Sequence, residues 1–167
     1  MVNKRRFILA TFMAWLFFLM MDFMAHATLL SHFWAQEYPA FKSEEELFRL
    51  IPLGYLSFLI ITLLIGWVYI RFYKEGGSTK KGLSFGAAFG GLFALATFLS
   101  WYSALNVPIL FALLISFVYF VEIVAVGFIF GFLLPPESVK KRVWALSGII
   151  FFGFVLSIII QSITFID

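Results

Sequence analysis

Residues 109–134 read ILFALLISFVYFVEIVAVGFIFGFLL, and this stretch decides the fold. It carries a single charge, Glu122, and stops at the Pro135–Pro136 pair. A helix needs about 20 consecutive apolar residues to cross a bilayer, and this run exceeds that. The strands of a membrane barrel would instead alternate in polarity over about 10 residues. The reading is therefore a transmembrane α-helix with one acid inside it.

Working outward, four more stretches have the same character, so spans are expected at about 7–33, 50–72, 82–103, 109–134 and 143–165. Pro52, Pro108 and Pro135–Pro136 fall at their ends, where proline is tolerated or stops a helix. The fold class expected is all-α, a polytopic membrane helical bundle in which residues 1–167 form one membrane-embedded unit. Composition agrees: 63% of residues are hydrophobic and 13% charged, with a mean hydropathy of +1.02. Soluble domains carry about 25% charged residues, so a water-soluble fold is excluded. The chain has no Cys, which removes disulfides, thiolate metal sites and thiol redox chemistry.

The cations set the orientation. Lys4, Arg5 and Arg6 precede the first span, Arg71, Lys74, Lys80 and Lys81 join the second to the third, and Lys140, Lys141 and Arg142 join the fourth to the fifth. Ten of the twelve cations therefore share one side, while Lys42 and Arg49 lie opposite with Glu37, Glu44, Glu45 and Glu46. By the positive-inside rule the N-terminus is in and the C-terminus out. The net charge of +3 carries no nucleic-acid message, because the cations sit in short loops beside apolar segments. A competing reading takes Lys4-Arg5-Arg6, the apolar stretch to Met21 and Ala25-His26-Ala27 as a secretory signal. Cleavage there would leave four spans and discard Asp22 and His26. Hydrophobicity that resumes at Thr28-Leu29-Leu30 and Phe33-Trp34 speaks against it.

Packing signals lie in the third and fourth spans. Gly82, Gly86, Gly90 and Ala94 recur at every fourth position, and Gly127 and Gly131 repeat the spacing. Small-xxx-small stripes let helix backbones approach closely in lipid. With only Asn106-Val107-Pro108 between them, these spans should form an antiparallel hairpin. Gly153, Ser157 and Gln161 make a small-to-polar stripe on the fifth. Gly86-x-x-x-Gly90-Gly91 is not a dinucleotide fingerprint, since no strand precedes it. Trp34, Trp67, Tyr69, Tyr73, Trp101, Tyr102 and Trp144 lie near span ends, as interfacial belts require. Ser43-Glu44-Glu45-Glu46 reads as a capping box opening a short surface helix toward Pro52.

Function rests on the buried acids. Asp22 stands about 22 Å above the inner end of its span and Glu122 about 17 Å above its own, close to the midplane of an approximately 30 Å core. His26 shares the Asp22 face, and Tyr119 shares that of Glu122. Tyr55, Thr97, Ser100, Ser116, Ser157 and Gln161 lie at outer-half depths, against Ser84, Ser147 and Thr62 deeper in, which suggests a polar pocket reached from the outer side. Three chemistries fit. Asp22 and Glu122 could exchange protons or bind a small ligand. Asp22, His26 and Glu122 could ligate a metal ion. The acids could instead hold helices in register through Tyr119 or Ser116. His26 and His32 point to different faces, so they cannot form a bis-His haem pair within the chain.

The run Lys81-Gly82-Leu83-Ser84-Phe85-Gly86 through Gly90, the turn before Pro108 and Asp22-x-x-x-His26 resemble a group of small uncharacterised bacterial integral membrane proteins. The resemblance covers residues 15–134 and implies no activity. The five spans are also similar to the tryptophan-rich sensory proteins that bind porphyrins and sterols, but the Trp-Pro-Pro-type motif is missing. The expectation is a non-enzymatic protein of the bacterial cytoplasmic membrane, with an accessory or assembly role through helix packing and no cofactor. The alternative is a small carrier or sensor using Asp22, His26, Tyr119 and Glu122. Its partners would be the lipid bilayer and other membrane proteins or further copies of itself, not nucleic acid.

Overall fold

In the computed structural model, residues 2–34, 36, 41–135 and 139–164 are described. Glu37, Pro136 and residue 165 of the expected fifth span lie outside them, as do the side chains of Trp34 and Glu44. The described residues form helices α1 (Lys4–Ala27), α2 (Ser31–Trp34), α3 (Glu44–Phe72), α4 (Thr79–Ala104), α5 (Ile109–Leu133) and α6 (Val139–Thr164). All but α2 are long and apolar enough to cross a membrane, which makes five candidate spans. Their outward surfaces carry Leu53, Ile60, Trp144, Phe151 and Phe152 in exposed positions. Such a surface suits hydrocarbon rather than water.

Local chemistry sets the helix ends. Asn3, Ser43 and Ser78 are N-caps whose side chains accept from the backbone N–H of Arg5, Glu46 and Lys81. Each satisfies a donor that has no partner within its helix. Two boundaries differ from the sequence reading. The first span ends at Ala27 rather than near 33: Thr28 leaves helical geometry, and the N–H groups of Thr28 and Leu30 both donate to the Ala25 carbonyl. These bonds turn the chain so that Leu30 is fully buried and Phe33 stacks on Phe111. The second span begins at Glu44, and Pro52 lies inside it. The capped segment is thus the first part of α3 and not a separate surface helix.

Helices α1 and α5 form the centre, running antiparallel with Phe7 stacked on Phe130 toward one end. Helix α3 packs against both, helix α6 packs chiefly on α1, and α4 packs on α5 in the most extensive pairing. The α4–α5 contact is glycine on glycine. A Cβ added at Gly127 would lie 2.6 Å from the Gly82 carbonyl oxygen and 2.7 Å from Gly86 Cα. One added at Gly86 would lie 2.9 Å from Val124 Cα, and one at Gly90 3.1 Å from the Phe120 carbonyl oxygen. Gly131 lies against Gly82 and the Ser78 carbonyl. Backbones meet there with no room for a side chain.

Helix alternation brings the start of α1, the 73–78 turn and the end of α5 to one end. Val2 N–H donates to the Lys74 carbonyl over 3.0 Å. The turn needs Gly76 and Gly77, whose φ values of 95° and 69° fall in the left-handed region. The buried Tyr69 hydroxyl closes it by donating to the Gly76 carbonyl. Arg142 donates to the Phe132 carbonyl over 2.7 Å and lies over that ring, capping the last turn of α5.

Candidate functional site

The site lies where α1 faces α5, in the half of the bundle away from the cation-rich end. Glu122 is 1% exposed, and neither of its carboxylate oxygens has a hydrogen-bond partner among the described residues. Asp22 on α1 is close enough for its charge to act on both Glu122 and Tyr119. Three sequence-predicted groups from two helices thus share one electrostatic neighbourhood. In an apolar interior with little screening, two carboxylates repel when both are ionised. Holding a proton on one of them relieves that repulsion.

His26 belongs to the same face of α1 through its four-residue spacing. Its Nδ1–H donates to the Asp22 backbone carbonyl over 2.8 Å, which leaves the Asp22 carboxylate oxygen Oδ1 at 3.5 Å from that nitrogen. The proton is committed to the carbonyl, so the carboxylate contact is electrostatic only and Oδ1 has no hydrogen bond. Tyr119 sits one turn before Glu122 and presses edge-on against Phe93 of α4 over 5.9 Å.

The surroundings differ from the polar pocket expected at the outer side. Between the acids and the outer end lies an apolar cluster of Ala25, Leu30, Phe111, Ile115 and Val118, with Phe33, Phe41 and Trp101 packed against it. Tyr55 and Ser100 are exposed instead of facing inward. The two buried serines are used locally: Ser116 donates to the Ala112 carbonyl and Ser157 to the Gly153 carbonyl. A helical serine finds its own i−4 carbonyl nearer than any cross-helix acceptor. The register role through Ser116 therefore has no bond to carry it. The metal reading fares no better, since no three His, Cys, Asp or Glu side chains among the described residues are grouped to hold an ion.

Two features escaped the sequence reading. Thr11 on α1 is buried, and its hydroxyl has no partner among the described residues, as is also true of Thr62, which its mid-span position had flagged; nothing in the composition distinguishes Thr11. A cleft of about 380 Å³ opens at the cation-rich end, lined by Phe72, Tyr73, Lys74, Glu75, Gly77 and Lys81. The signal for it was the turn Glu75-Gly76-Gly77 between lysines, which hydropathy treats as an ordinary loop.

Fold and composition together define the class, an all-helical protein with five helices fit to cross a bilayer. No protein family, curated protein or solved structure matches the chain.

Proposed function

We propose that this is a non-enzymatic multi-pass protein of the bacterial cytoplasmic membrane whose Asp22–Glu122 pair takes up and releases a proton in the service of a small carrier or sensor. The observation that carries the reading is Glu122, buried with neither oxygen hydrogen-bonded among the described residues. A carboxyl that only held helices together would be hydrogen-bonded, because a buried polar group left alone costs about 1–3 kcal/mol. Intramembrane acids kept at such a cost are functional by default. Tyr119 and His26 flank the pair, one on each helix.

The competing role, assembly with other proteins through the glycine stripes, is weakened by their use within the chain. Gly82, Gly86, Gly90, Gly127 and Gly131 already meet one another or their neighbours across α4 and α5.

Infrared spectroscopy of the reconstituted protein tests the site. The C=O band of a protonated carboxylic acid should change with pH in the wild type and disappear in Glu122→Gln. A band that stays constant with pH, or one unaltered by that substitution, contradicts the proposal. The orientation, N-terminus in and C-terminus out, is supported by the ten cations gathered at one end. Reporter fusions at Lys140 and at the C-terminus should report opposite sides of the membrane; the same side for both would overturn it.

A further inference from the structure

The cation-rich end of the bundle holds the cleft described above, and none of its lining residues belongs to the acid pair. Its wall combines two cations and one acid with two aromatic rings. Lys81 lies over the Tyr73 ring at 5.5 Å, a cation–π contact that keeps the ammonium against the cleft instead of swinging free. Lys74 is fixed at its backbone by the bond from Val2 N–H, which also brings the start of α1, with exposed Lys4 and Arg5, to the same rim. Helix α4 begins at Thr79 beside the cleft and adds the positive end of its dipole. Phe72 is exposed at the end of α3.

These groups ask for an anion with an apolar continuation. Lys74 and Lys81 suit a phosphate, Glu75 on the same wall suits a hydroxyl donor attached to it, and exposed Phe72 suits an acyl chain alongside. We propose that the cleft binds the headgroup of an anionic glycerophospholipid, with the phosphate diester on Lys74 and Lys81 and a glycerol hydroxyl donating to Glu75. A choline headgroup fits poorly. Its quaternary ammonium offers no N–H or O–H to Glu75, and its charge cancels that of the phosphate. The inference needs the bundle to sit in a bilayer but is independent of the proton chemistry at Glu122.

Native mass spectrometry of the full chain in detergent, titrated with phosphatidylglycerol or phosphatidylcholine of matched acyl chains, tests it. Phosphatidylglycerol should bind in preference to phosphatidylcholine. Lys74→Gln and Lys81→Gln should each weaken that binding about fivefold, the equivalent of about 1 kcal/mol per interfacial lysine. Lys140→Gln with Lys141→Gln, at the same end but outside the cleft, should leave it unchanged. Equal affinity for both lipids, or an equal loss from the Lys140 and Lys141 pair, would overturn the proposal. Displacement of the lipid by inorganic phosphate would assign the cleft to a soluble anion instead, and overturn it too.

Discussion

Helix α5 makes two contacts of opposite kind. Toward α4 it presents Gly127 and Gly131, and backbone meets backbone with every neighbour in place. Toward α1, one turn and a half earlier, it presents Glu122, whose oxygens meet no hydrogen-bond partner among the described residues. The first contact gains from close packing, the main source of helix association where water provides no drive. The second gives up stability elsewhere along the same helix. One helix thus holds a region tuned for cohesion next to a region that cohesion does not explain, and the second is where function is to be sought.

The glycine contact can be broken with the largest effect. Gly127→Leu forces a side chain into backbone that is already in contact, and overpacking costs about 3 kcal/mol or more when neither wall can retreat. Loss of folded protein in detergent is the expected outcome, read by melting temperature. A variant melting like the wild type would mean that α4 and α5 do not meet there. Glycines outside the contact sharpen the comparison with a smaller effect of opposite sign. An added Cβ at Gly91 meets nothing within 4 Å, although Gly90 beside it faces α5. Gly91→Ala should therefore stabilise α4 by about 0.5–1 kcal/mol, the usual penalty of a mid-helix glycine. Destabilisation by this change would place a neighbour against Gly91.

Most of the fold was legible in the sequence because hydropathy over a helix length is a strong signal. The five long helices appear near their expected positions, and α4 and α5 begin within three residues of them. The misjudged ends share a cause. Leu29, Leu30 and Phe33 are equally apolar in a continued helix or in a turn packed on the bundle, so hydropathy could not register the backbone turn that closes on the Ala25 carbonyl. At Pro52 the start of a span was expected, yet the helix already runs from Glu44 and holds the proline inside α3. For the site, depth alone put Asp22 and Glu122 at one level of the bundle. What depth could not foresee was which polar groups are already committed. Ser116 and Ser157 turn back to their own helices, and the His26 proton goes to a carbonyl, so the acids are lonelier than the residue list suggests.

That loneliness is the central claim, and the stability of Glu122→Leu tests it most directly. Leucine replaces an unpartnered buried acid with an apolar group of similar volume, a change that is neutral or stabilising when the polar group had no bond to lose. Thermal unfolding in a fixed lipid environment should show the variant more stable than the wild type by about 1–3 kcal/mol. A variant less stable than the wild type would contradict the account, because Glu122 would then be a structural tie between helices.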